Sequence, residues 1–201
     1  MIDAKFVGDI ISYLMEQDGE EEKFQNLFLA GKCMSEVRSS QVIYDVEDRL
    51  LNMLKGLTSY DLGYFYKPFD LYSAVTYHRN LDLVIKIRTQ AVRIVAISWK
   101  DNFLIYNWLK QRVESDESED VRSEAARQIA TGWKQEPGIL ELLKQWVVSD
   151  ESEDVRSEAA RQIATGWKQE PGMLELLKQR LVSDEGEYVR CEALRQISHL
   201  H

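Results

Sequence analysis

The feature that most constrains this chain is a repeat. Residues Ser115 to Gly138 read SDESEDVRSEAARQIATGWKQEPG, and the same string recurs unchanged from Ser149 to Gly172. The offset is 149 − 115 = 34 residues. A looser copy begins at Ser183, 34 residues further on. Another lies upstream, where Ile87, Arg88, Ala91, Arg93, Ala96, Trp99 and Lys100 align with Val121, Arg122, Ala125, Arg127, Ala130, Trp133 and Lys134. A fixed period in this range marks stacked structural units, each dependent on its neighbours to bury its apolar face.

Each unit reads as two helices. Placed at about 100° per residue, Val121, Ala125, Ala126, Ile129, Ala130, Gly132 and Trp133 fall on one half of a helix, and Ser123, Glu124, Arg127, Gln128 and Thr131 on the other. The small residues on the apolar half allow close approach of neighbouring backbones. Ile139 to Val148 forms a second amphipathic segment with Ile139, Leu140, Leu143 and Val147 inward, and Pro137-Gly138 separates the two. Trp146 stands where Arg112 and Arg180 stand in other copies, and reads either as an exposed aromatic anchor or as core beside Leu142.

The acidic run Ser115 to Asp120 lacks the spacing and the glycine of a calcium loop. Ser118 is expected to cap the helix that starts near Glu119, whose acidic first turn suits the positive helix end. Arg122 falls inside the apolar arc, where a charge needs a partner. Arg88, Arg122, Arg156 and Arg190 share this slot, and Asp82, Asp116, Asp150 and Asp184 each precede them by six residues. These aspartates and arginines are expected to pair, within or between repeats, as a structural ladder.

A helix pair of this length, with a D…VR junction and small residues on its second helix, resembles the HEAT repeat from about Leu81 onward. The resemblance implies an all-α fold, a right-handed α-solenoid of helical hairpins, divided at about 81–114, 115–148, 149–182 and 183–201. It also implies that the second helix of each repeat lines a concave groove. Arg93, Glu124, Arg127, Gln128, Thr131, Glu158, Arg161, Gln162, Thr165, Glu192, Arg195 and Gln196 then form parallel outward rows, the candidate protein-binding surface. The competing reading is a solvated face with Glu–Arg pairs, copied by duplication.

Upstream, Asp3 to Gln17 reads as a helix with Phe6, Ile10, Leu14, Val7 and Ile11 inward. Glu20 to Val37 reads as a second helix with Phe24, Leu27, Phe28, Gly31 and Met34 buried, and Val46 to Leu57 as a third. An aromatic loop at 59–70 is expected to cover one end of the stack, Leu71 to Arg79 to form a short helix, and Asn80 to break it. Residues 1–80 thus form an N-terminal helical region on the first repeat. Ile94 and Ile97 replace Gln128 and Thr131, so that face requires cover from the N-terminal helices or the loop.

The segments Phe28-Leu-Ala-Gly-Lys-Cys33, Glu36-Val-Arg38, Tyr60 to Asp70 and Ile87 to Ala91, with the Trp-Lys repeat ends, resemble the C-terminal repeat region of bacterial, notably cyanobacterial, NACHT/STAND signalling NTPases. That resemblance implies a sensor or oligomer-controlling module without the NTPase domain. Some bilin lyases also use HEAT-like repeats, so a chromophore-handling protein is the alternative function.

The chain has no assembled chemistry to set against this. Gly31-Lys32 lacks the upstream glycine and the following Ser or Thr of a phosphate loop. His78, His199 and His201 make no ligand set with Cys33 and Cys191, and no nucleophile–base pair or catalytic carboxylate pair stands out. No catalytic residue, metal or cofactor is expected. The net charge of −9 opposes general affinity for nucleic acid or an anionic membrane, including a DNA-glycosylase role on a repeat scaffold. Two cysteines far apart, no secretory signal and no spanning segment point to a cytoplasmic protein with free thiols, and the outward rows to a protein partner.

Overall fold

The computed structural model describes residues 4–17, 19, 23–36, 43–60 and 71–199, with the backbone alone at 4 and 71–80. Among these residues the fold is all-α, with ten helices and no strand. The chain divides into two compact units, Met1–Asp101 and Asn102–His201.

The first unit holds α1 (Ala4–Glu16), α2 (Gln25–Met34), α3 (Tyr44–Leu57) and α4 (Leu71–Ser98). The face that α1 buries is Gly8, Ile11 and Met15, whereas Phe6 and Ile10 are exposed and Leu14 is half-buried. This corrects the inward face read from the sequence by part of a turn. The physical reason is Gly8: a Cβ there would collide with Ile43, so the bare backbone is the point of closest approach and sets the rotation of the helix.

The second helix is shorter than the pattern predicts. Lys23 and Phe24 have φ of 53° and 56°, a left-handed backbone that an α-helix cannot contain, so α2 starts only at Gln25. Leu27, Phe28, Gly31 and Met34 are buried as expected, joined by Ala30, while Phe24 packs edge-on against Tyr60 at 5.2 Å between ring centroids. Helix α4 runs through Asn80 without a break, because a single Asn costs a helix interior only a fraction of a kcal/mol. The boundary expected at 80/81 therefore falls inside a helix, and the compact units part between Asp101 and Asn102 instead. Ile94 is buried against Gly31 of α2, so the N-terminal helices do cover that position, but Ile97 is 52% exposed. The aromatic loop beyond Tyr60 lies outside the described residues.

The second unit holds three helical hairpins: α5 (Phe103–Ser115) with α6 (Glu119–Gly132), α7 (Ile139–Ser149) with α8 (Glu153–Gly166), and α9 (Met173–Ser183) with α10 (Glu187–Ser198). The second helices stack in a row, α6 on α8 and α8 on α10. This unit is an α-solenoid, and residues one period apart occupy matching places. Val121, Ala125, Ala126 and Ile129 are fully buried, as are Val155, Ala159, Ala160 and Ile163. The first helices supply Ile105, Leu109 and Val113, then Ile139, Leu143 and Val147, then Met173 and Leu177. Gly138 and Gly172 precede α7 and α9 with φ of 87° and 83°, where a side chain would be strained. Trp146 is 5% exposed, so it is core and not a surface anchor.

Candidate functional site: charged lines along the stacked second helices

Two lines of charge run along the α6, α8 and α10 row. The first begins where each chain segment turns into its second helix. Asp116, Asp150 and Asp184 accept a hydrogen bond from the backbone N–H two residues on, at 3.0, 2.9 and 2.9 Å, which closes the turn. Arg122, Arg156 and Arg190 reach back, and each donates from NH1 to the carbonyl of the aspartate six residues earlier, at 2.8 Å in every case. Within a repeat the contact is thus guanidinium to backbone, not guanidinium to carboxylate.

For Arg122 and Arg156, carboxylate pairing runs between repeats, and unevenly. Arg156 NH2 meets Asp184 at 2.9 Å, and Arg180 approaches the same carboxylate at 3.7 Å. Arg122 reaches forward only to the exposed Glu151, at 3.6 Å. Arg112 pairs with Asp116 at 3.2 Å, but Trp146 fills that slot in the middle hairpin and offers Asp150 no cation. In the first unit, Arg88 donates to the Tyr60 carbonyl at 2.6 Å, and no described ion pair joins it to the exposed Asp82. Burial alone would push the Asp184 carboxyl up. Hydrogen bonds from Arg156 and the Gly186 N–H, with the charges of Arg156 and Arg180, outweigh it and hold the group below the usual aspartate value.

The second line is the set of residues expected to face outward, and here the structure corrects the sequence reading. Glu124, Glu158 and Glu192 are 3%, 3% and 1% exposed, so none of them can meet a partner directly. Gln128 and Gln196 are buried as well, and Gln162 is half-buried. Their wheel positions lie on the flank of the apolar arc, and for Glu158 and Glu192 the preceding second helix closes over that flank, its Arg127 and Arg161 reaching across.

Such burial is tolerable because the carboxylates are fully engaged. Arg127 bridges Glu124 on its own helix and Glu158 on the next, both at 3.0 Å. Arg161 bridges Glu158 at 2.7 Å and Glu192 at 3.1 Å, and Arg195 closes on Glu192 at 2.8 Å. Gln128, Gln162 and Gln196 each donate to the glutamate one turn earlier, at 2.8, 2.7 and 2.7 Å. Burial would raise the Glu192 carboxyl, but the hydrogen bonds from Arg161 and Gln196 and the charges of Arg161 and Arg195 hold it below its ordinary value. The sequence reading missed this cross-repeat ladder. Its signal was a Glu 31 residues after each Arg, that is 34 − 3, one period less one helical turn.

What remains open on this face is narrower than expected. Thr131 and Thr165 are exposed, with hydroxyls that donate to the Arg127 and Arg161 carbonyls. Arg127 and Arg161 show 37% of their side chains, Arg195 56%, and Arg93 in the first unit is exposed.

At the helix N-termini the balance is reversed. Burial pushes the Asp120 and Asp154 carboxyls up, Glu119 adds to both, and Asp120 and Glu153 add to the second. Ser118 caps α6 by accepting from the Val121 N–H at 3.5 Å. Its copy Ser152 turns away and donates to Glu119 of the preceding repeat at 3.1 Å. Among the described residues no group of His, Cys, Asp and Glu could hold a metal ion, and Cys33 and Cys191 are free.

Stacked hairpins with ionic lines between successive second helices define a helical-repeat scaffold. In sequence, residues 106–198 match the family model of HEAT repeats. The matched stretch spans most of the second unit, so the resemblance read from the period and the stacked geometry coincide. No curated protein and no solved structure matches the chain. No helix among the described residues is long and apolar enough to cross a membrane.

Proposed function

We propose that this protein is a non-enzymatic scaffold that binds a protein partner along the row of second helices. The observation that carries this reading is the register of the second unit. Three hairpins present equivalent side chains at equivalent places, an arrangement that displays a repeated surface and gathers no reaction centre. HEAT repeats are commonly protein-interaction scaffolds, which supports the same assignment.

The contact surface is the exposed part of the row: Thr131, Thr165 and the outer edges of Arg127, Arg161 and Arg195. The buried glutamates act one step back, by holding the arginines. The resemblance of segments across nearly the whole chain to NACHT/STAND repeat regions supports a partner of the signalling-NTPase class and a sensing role.

The test is a substitution that alters the surface without touching the ladder. Reversing the arginines would strand buried glutamates and unfold the unit, so loss of binding would mean little. Thr131→Arg with Thr165→Arg adds bulk and charge only outside. The double variant should lose the partner that co-purifies with the wild-type chain, with its thermal midpoint unchanged. Equal recovery of the same partner by both proteins would reject the row as the binding surface.

A further inference from the structure

The two junctions between stacked second helices are held unequally. Two residues set the difference: Gly186 stands before α10 where Ser152 stands before α8, and Arg180 stands where Trp146 does. A Cβ at Gly186 would come within 2.7 Å of the Glu153 Cβ and 3.1 Å of Arg156 NH2, so the bare glycine lets this turn lie against the first turn of α8. There the buried Asp184 accepts from Nε and NH2 of Arg156, at 3.3 and 2.9 Å, with Arg180 at 3.7 Å.

Before α8 the same space holds the Ser152 side chain, buried and bonded to Glu119. No described ion pair joins Arg122 to Asp150, and the Arg122 Nε is buried without a hydrogen-bond partner. Its contact with the exposed Glu151, at 3.6 Å, is of the surface kind that adds little. Further along the helices the two junctions are alike, tied by Arg127–Glu158 at 3.0 Å and Arg161–Glu192 at 3.1 Å. Among the described residues α5, α7 and α9 do not pack on one another, so the first helices brace neither junction.

We propose that the second unit bends at the junction of α6 with α8, pivoting on the Arg127–Glu158 bond and opening at the Ser152 turn, while the junction of α8 with α10 stays closed. The controlling position is residue 152: a side chain there keeps the Arg122–Asp150 pair unmade, whereas glycine at 186 seats the equivalent pair. Thr131 and Thr165 lie on opposite sides of the bending junction, so the motion changes their spacing. The bending belongs to the unliganded chain and needs no partner.

Pulsed electron–electron double resonance reads the motion as the width of a distance distribution. Spin labels at Gln111→Cys and Gln179→Cys, both exposed, span the two junctions in the full chain carrying Cys33→Ala and Cys191→Ser. Ser152→Gly should narrow the distribution and leave the fold intact, since the Ser152 side chain caps no amide of α8. Adding Asp150→Asn should return the wild-type width, because the narrowing acts through the Arg122–Asp150 pair. Gly186→Ser in the otherwise unchanged chain should broaden the distribution by loosening the second junction as well. A width indifferent to Ser152→Gly would overturn the proposal, since the first junction would then already be as closed as the second. So would a width that stays narrow after Asp150→Asn, or one that Gly186→Ser reduces.

Discussion

Residues 115–138 and 149–172 are the same peptide twice, and they do different things. In the first copy Ser118 caps its own helix, Arg122 reaches an exposed glutamate, Trp133 is buried near the Tyr106 ring, and Gly132 faces open space. In the second, Ser152 bonds the preceding repeat and Arg156 holds a buried aspartate. Trp167 is half-buried with Lys134 over its ring, and Gly166 lies against the same lysine. Every one of these differences arises from the neighbour and none from the peptide. Backbone features, by contrast, are the same in both: equal helix lengths, the arginine-to-carbonyl bond at 2.8 Å, and the positive φ at the following glycine.

The comparison breaks most sharply at the buried ladder. Glu158 accepts from Arg127, Arg161 and Gln162, so Glu158→Ala should cost about 3 kcal/mol in urea unfolding of the second unit. A loss below about 1 kcal/mol would mean that the ladder is only a surface decoration.

Next in size is a paired test of unequal neighbours. Asp184→Asn removes a carboxylate held by two arginines and should cost about 2 kcal/mol; Asp150→Asn, where Trp146 replaces the second arginine, should cost under about 0.5 kcal/mol. Because the folded values of Asp184 and Glu192 are depressed, their contribution is complete above the unfolded carboxylate range and is lost as pH falls through the folded values. The raised Asp120 and Asp154 act oppositely, gaining stability as pH falls through theirs. Urea midpoints should therefore rise slightly on mild acidification and drop below about pH 4, and Asp184→Asn should flatten the drop. Equal costs for the two aspartate variants would show that the copies are equivalent after all.

The smallest effect sharpens the local side of the comparison. Gly138→Ala and Gly172→Ala each place a Cβ at positive φ with no neighbour within 4 Å, so each should cost about 1 kcal/mol, alike within error in thermal unfolding. Unequal costs would mean that the turn, too, is set by its surroundings.

The N-terminal half shows the limits of pattern from another side. Its helices were legible as apolar runs, yet α1 rotates to bring Gly8 onto Ile43, and α2 loses its first turn at Lys23 and Phe24. A periodic pattern names which residues are apolar; it does not say which of two adjacent apolar stripes meets a neighbour. The same holds for the candidate site. Glu124, Glu158 and Glu192 were legible as a row, but a helical wheel has no second helix in it, so it cannot show that the flank is covered.

The period, the helix pairs, the glycine turns and the order of the hairpins all follow from the amino-acid string, because each depends on contacts within about one turn of chain or on simple recurrence. The partners of Arg127, Arg156 and Arg161 and the burial of the glutamates and of Trp146 were decided only when the hairpins stacked. A charged side chain takes its counter-ion from whatever lies within about 4 Å, and in a stack that is the adjacent repeat, some thirty residues away along the chain.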